Sequence, residues 1–297
     1  MKKAILPIWL LLMLVLASCA SAPEEIGPQP DEVPKDSVSV QPPPAEEEAV
    51  EYRVRTEVWQ DTASTEDGVE LASYRLGLPV LSAHLVGGAE LSEAKTEKQA
   101  QALTTVETFN EKFEKWAAAE EFSTIASSAE EDLIWRQEEG LEPFYPYTIE
   151  LDCEIYQTNS MVSVDGLYYS YSGGAHPNTY LLGWNFDLET GTFFDPAQLG
   201  EEGFVQTVTE ELIRQAQVWA AEEAEMPLED LYWEDYQATI SNWSSYAVSF
   251  DESGMTVAFS AYELAPYAAG PQIFTMSYDW LMPHLNEHGR MLLGLEA

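Results

Sequence analysis

The sequence predicts an α+β fold, with largely antiparallel sheets packed with two main helices, after a disordered N-terminal stalk. Three observations predict it. Segments alternating apolar and polar residues with a period of two cluster together rather than interleaving one by one with helices, which disfavours a doubly wound parallel sheet. Two long segments instead space their apolar residues by three and four, the mark of a helix packed on one face. Residues 20–50 hold seven prolines, eight acids and one lysine with no aromatic residue, too little apolar surface to order themselves.

The elements follow in order. Lys2 and Lys3 precede an apolar run from Ala4 to Val15, shorter than the roughly 18–20 residues needed to cross a bilayer, so residues 1–18 read as a signal peptide. The run ends in Leu16-Ala17-Ser18-Cys19, which resembles a bacterial lipobox. Cys19 is the expected lipidation site, and residues 19–50 are the lipidated cysteine and an acidic, Pro-rich linker to the membrane. Order is expected from Tyr52. Tyr52, Val54, Thr56 and Val58 alternate with charged neighbours as a strand, and residues 69–86 give further short strands, with Pro79 at an edge or an end. From Ser92 or Thr96 the pattern is helical: Leu103, Val106, Phe109, Phe113 and Trp116 form a stripe, and Thr96 with Gln99 forms a capping box. Residues 51–144 are expected as an N-terminal α+β subdomain and 145–297 as the C-terminal domain.

Strands return at 147–157 and 161–172. The first places Ile149, Leu151, Cys153 and Ile155 on one face, so Cys153 reads as a small core hydrophobe flanked by carboxylates that disfavour its thiolate. From Tyr180 a third strand alternates Leu182, Trp184, Phe186 and Leu188 with polar residues, and Thr190-Gly191 supplies a hairpin turn. The second main helix spans 201–224, with Phe204, Val205, Val208, Leu212, Ala216 and Trp219 on one side. A shorter helix near 228–240, strands at 245–251, 255–262 and 272–278, and a short C-terminal helix complete the chain.

The 297 residues hold 52 acidic against 13 basic side chains, a formal charge of -39. Loss of residues 1–18 removes two lysines and leaves 11 basic residues, a charge of -41. That field opposes a nucleic-acid partner. Two cysteines make neither a disulfide framework nor a zinc site, and no phosphate-cradling, dinucleotide, zinc-protease or nucleophile-elbow motif is present. No catalytic residue, metal ligand or cofactor is therefore assigned, and the chain is expected not to be an enzyme.

Two loops stand apart. In Ser172-Gly173-Gly174-Ala175-His176-Pro177-Asn178-Thr179, two glycines open backbone angles closed to other residues, Pro177 fixes the chain after His176, and Asn178 can cap the turn. The loop either presents His176 and Asn178 to a ligand or is a turn whose imidazole bonds a nearby acceptor. The second loop, Ala261 to Gly270, sets Glu263 among Tyr262, Pro266 and Tyr267, as a binding carboxylate or a structural acceptor. Both loops are expected to approach each other, and Tyr171, Gly173, Gly174, His176, Pro177, Asn178, Tyr262, Glu263, Pro266 and Tyr267 are the candidate binding residues.

The stretches YSYSGGAHPNTY, NFDLETG and SGMTVAFSAYELAPYAAG resemble the paired domains of unknown function in the RsiV-type anti-sigma factor ectodomain. Similar domains precede the catalytic domain of PdaC-type peptidoglycan deacetylases. The resemblance is specific over 145–285 and looser over 52–140. It implies an α+β envelope module that, in the anti-sigma case, binds lysozyme. The chain is expected to lack the sigma-binding segment, the membrane span and the deacetylase domain of those relatives, so only the extracellular module is implied.

The expected function is thus that of a surface-tethered, extracytoplasmic binding lipoprotein, facing outside the cytoplasm, with a cationic protein such as lysozyme as partner. Its acidic field would steer a basic protein toward it. Two alternatives stand beside it. One is a cell-wall glycan-binding module using Tyr168, Tyr169, Tyr171 and Trp184 as stacking faces. The other is a hydrolase using His176 with a carboxylate such as Glu263.

Overall fold

The computed structural model describes residues 49–295 with the exception of 118 and 142. The expected signal peptide, the expected lipidation site Cys19 and the expected linker as far as residue 48 lie outside the described residues. Among the described residues nine strands form two sheets, and the fold is α+β with mostly antiparallel pairing.

The chain opens with a long hairpin of β1 (Val50–Ser64) and β2 (Glu70–Leu85), so Val50 already belongs to a strand. The short strands expected over 69–86 are one continuous strand, and Pro79 sits inside it opposite Thr56. Its missing N–H costs nothing on the other side, because β2 pairs with the next strand only from Ala72 to Gly77. Two helices follow, α1 (Glu97–Glu114) and α2 (Ala119–Glu139), where the sequence pattern suggests a single helical segment. Thr96 caps α1 by accepting from the Gln99 N–H, and the Gln99 side chain reaches back to the Lys95 N–H, one residue before the cap. Together α1 and α2 carry the crossover that lets β3 (Tyr147–Gln157) lie parallel to β2. This parallel pair bridges residues 144 and 145, so one sheet runs across the expected subdomain boundary.

β4 (Met161–Tyr171), β5 (Asn178–Asp187) and the two-residue β6 (Thr192–Phe193) extend the sheet in sequence order by antiparallel pairing. The alternation in β4 then decides what packs where. Val162 and Val164 face the core under α1 with Leu76, Leu78, Phe109, Phe113, Leu151 and Phe186, whereas Met161 joins the second core. Ser163 and Asn185 are buried on that second side, and their polar atoms stitch the sheets together. Ser163 Oγ donates to Asn185 Oδ1 (2.8 Å) and accepts from the Phe250 N–H (2.8 Å), and Asn185 Nδ2 donates to the Val248 carbonyl (2.9 Å). Gly183 permits the approach, since a Cβ there would lie 2.3 Å from Val248 O.

The second sheet consists of β7 (Ala247–Phe250), β8 (Gly254–Phe259) and β9 (Gln272–Ser277). Its core is shared with α3 (Phe204–Val218), which buries Phe204, Val208, Leu212 and Ala216 as the apolar spacing predicts, while Trp219 is exposed in a π-helical turn over Trp219–Glu223. The expected helix near 228–240 is two short ones, α4 (Leu228–Leu231) and α5 (Tyr236–Ile240). The chain closes with α6 (Tyr278–Leu281) and α7 (Glu287–Leu292). Among the described residues no helix is long and apolar enough to cross a membrane.

Candidate functional site

The β4–β5 loop and the β8–β9 loop meet at the surface. The Leu181 N–H donates to Ser260 Oγ (3.0 Å), which ties the start of β5 to the residue that follows β8. Around that tie three rings assemble. His176 stacks on Tyr267 with ring centroids 4.0 Å apart and an 18° interplanar angle, and Tyr262 lies 5.5 Å from Tyr267.

The proton on His176 follows from its partners. Nδ1 lies 2.9 Å from the Pro177 carbonyl, which can only accept, so Nδ1 carries hydrogen. In the neutral ring Nε2 then accepts, and the Tyr262 hydroxyl, 3.1 Å away, donates to it. Tyr262 itself has φ 75°, the left-handed region where a large side chain is strained. The surrounding bonds hold it there. Trp233 Nε1 donates to the Tyr262 carbonyl (3.0 Å), and the Trp233 N–H donates to Leu264 O (2.9 Å), whose side chain is fully buried. The turn thus leaves Tyr262 51% exposed, an aromatic residue held by its carbonyl and its hydroxyl and open to solvent.

Glu263 plays a different part. Its Oε2 accepts from the Ser260 N–H (2.5 Å), and its own N–H donates to Ser260 O (3.1 Å), so the carboxylate clasps its own turn. Burial raises its pKa, and the Ser260 N–H partly opposes the shift. His176 meets tyrosines, and Glu263 meets backbone.

The remaining candidates are arranged around the loop. Gly173 and Gly174 have φ of 86° and 96°, and a Cβ on Gly173 would come within 3.0 Å of the Tyr147 hydroxyl. Tyr171 donates to Gly174 O (3.3 Å) and meets Tyr147 edge-on at 6.4 Å, so this end of the loop is braced by two tyrosines. Pro177 supplies the carbonyl that orients His176, Asn178 is exposed at the start of β5, and Pro266 leads into the turn that carries Tyr267. Sequence reading missed Trp233, whose position inside an expected helix hid its role. Tyr168 and Trp184, read as stacking faces, both pack on Trp116 beside the α1 core, and Trp184 stays partly exposed. Cys153 is partly buried in that core; desolvation first, then Asp152 and Asp165, push its thiol up to about 12. Among the described residues no cluster of three or more His, Cys, Asp and Glu could hold a metal ion.

Comparison with known proteins agrees with the motifs. The family model described as Deacetylase PdaC matches residues 89–179, and that of the protein of unknown function DUF3298 matches residues 193–279. No curated protein matches. A DUF3298 family protein of Bacteroides fragilis NCTC 9343 is similar at 14% identity and a TM-score of 0.57, over 82% of this chain and 97% of that one, a likeness of fold. A DUF3298 family protein of Pseudomonas aeruginosa PAO1 aligns over the same shares at 12% identity and a TM-score of 0.45. The ring cluster draws His176 from the first matched segment and Tyr262 and Tyr267 from the second. The chain carries a PdaC-type segment and a DUF3298 segment in tandem, the paired domains its motifs resemble.

Proposed function

We propose that this protein is a binding module, tethered through Cys19 to the outer side of the membrane, that captures a cationic protein of the lysozyme kind. The observation that carries the reading is Tyr262: an exposed aromatic ring held in a strained backbone conformation by Trp233 and His176. Strain of this kind costs of order 1–3 kcal/mol, persists only where the surrounding structure over-determines it, and clusters at ligand clamps and other functional sites. A fixed tyrosine beside a stacked His–Tyr pair is the type of anchor that dominates protein interfaces, because little side-chain entropy is left to lose. The charge of -41 on the tethered form, 11 basic against 52 acidic residues, supplies the steering field for a basic partner, and the resemblance to the RsiV-type ectodomain supplies lysozyme as the first candidate.

The same geometry weighs against a hydrolase built on His176 and Glu263. The imidazole is engaged by Pro177 and Tyr262, and the carboxylate by Ser260. Neither group is aimed at the other.

The test is calorimetric titration of the purified protein with lysozyme. Tyr262→Ala should weaken binding about 30-fold, the scale of a hot-spot residue, with the circular dichroism spectrum unchanged. Tyr262→Phe, which keeps the ring, should lose far less. Equal affinity for parent and Tyr262→Ala would remove the site from the interface. Tethering has its own test: a Cys19→Ser variant should leave the membrane fraction, and a variant that fractionates like the parent contradicts it.

A further inference from the structure

A second site lies at the seam between the two sheets and shares no residue with the His176 cluster. Where Gly183 and Val248 bring β5 and β7 together, a cleft of about 220 Å³ opens toward solvent. Aromatic rings wall it: Trp184 and Phe193 on the first sheet, and Trp243 and Tyr246 leading into the second. Their positions are set before any ligand arrives. Phe193 packs on Phe186 at 4.8 Å and Phe109 at 5.9 Å, and Trp243 meets Tyr246 edge-on at 5.8 Å. Trp243 Nε1 also donates to Asp195 Oδ1 (2.6 Å), which fixes the indole against the carboxylate.

Two charges sit at the rim. Asp195 Oδ1 already accepts from Trp243 and from the Ala197 N–H, and Oδ2 has no hydrogen bond among the described residues. Lys112, from the last turn of α1, holds its ammonium 5.7 Å from the Phe193 ring centre and makes no ion pair among the described residues. That is notable in a chain where acids outnumber bases 52 to 13.

Each feature narrows the occupant. Ring faces select a flat group with an apolar side, and the rim offers three N–H donors on Lys112 and an acceptor on Asp195. The volume is below the roughly 300 Å³ of sites that enclose a drug-sized molecule, so it suits a single ring. The surrounding negative field opposes phosphate-bearing ligands such as nucleotides. A neutral pyranose ring satisfies all of these, with its C–H face against the aromatics and its hydroxyls bridging the rim. We infer that the cleft between Trp184, Phe193, Trp243 and Tyr246 is a saccharide-binding subsite that holds one sugar ring, with Lys112 and Asp195 reading its hydroxyls. The inference does not depend on lysozyme binding.

The experiment titrates the full chain with chitotriose, cellotriose and maltotriose, following heat and the indole N–H resonance of Trp243. At least one trisaccharide should bind saturably with a Kd of about 1 mM or tighter and shift that resonance. Trp243→Ala should weaken binding at least tenfold, and Lys112→Ala, at an exposed position that cannot disturb the core, several-fold. His176→Ala should leave sugar binding unchanged. The inference is overturned if none of the three sugars binds at about ten times that concentration. It is equally overturned if binding survives unaltered in both cleft variants.

Discussion

Tyr262 shows how far single residues could be read in advance. Its segment stands out in the sequence as aromatic and small residues around one acid, but a tyrosine gives no sign that its φ will be positive. Its carbonyl is held by Trp233, a residue some thirty positions earlier that no local pattern connects to it. His176 was legible because two glycines and a proline surround it, and Glu263 was legible only as a pair of alternatives, with its Oε2 accepting from the Ser260 N–H in the fold. Buried polar groups were not legible at all. The Tyr246 hydroxyl is buried with no hydrogen-bond partner among the described residues, so Tyr246→Phe should raise stability by about 1 kcal/mol in thermal unfolding, and a loss would mean that the hydroxyl has a partner. Asp165 sits directly opposite Glu154 across β3 and β4; burial, then Glu154 and Asp251, raise its pKa. Between the ordinary Asp value and the raised one, the folded chain keeps a proton that the unfolded chain has lost, so stability from this group falls as pH rises through that window. Asp165→Asn should therefore raise the Tm at pH 7 and raise it less near about pH 4. A gain of equal size at both values would contradict the assignment.

At the scale of elements, periodicity carried most of the reading. The period of two located β3, β4, β5, β8 and β9, and the three- and four-residue spacing located α1 and α3, because each of these presents one large apolar face. Two things escaped it. The helix α2 buries Ala129 and Leu133 against Leu71, Ala72 and Tyr147, a stripe too narrow and too small to stand out from its acidic neighbours. β2 reads as several pieces because proline ordinarily ends a strand, and only the pairing shows that the Pro79 nitrogen faces no partner strand. The contact between the sheets likewise depends on a residue without a side chain. Gly183→Ala would drive a methyl group into the Val248 backbone and should destabilise by about 1–3 kcal/mol or more, read as a lower Tm. An unchanged Tm would mean that the sheets separate there without cost.

For the whole molecule, charge and composition excluded more than they assigned. They argued against nucleic acid and known catalytic frameworks, and the α+β class followed from the segregation of patterns. The joining of residues on both sides of 144 into one sheet did not follow, because parallel pairing of β2 with β3 is a long-range event that no local signal announces. On the proposed function, a specific surface, and not charge alone, engages a lysozyme-like protein. A field of this size attracts any basic protein at low salt, but at physiological ionic strength screening removes most of that attraction beyond about 8 Å. The most direct measurement is a titration with lysozyme across a salt series, run beside an unrelated acidic protein of similar charge. The account predicts that the control loses binding near physiological salt while this protein keeps substantial affinity that depends on Tyr262. Binding that fades in parallel for both proteins would contradict it.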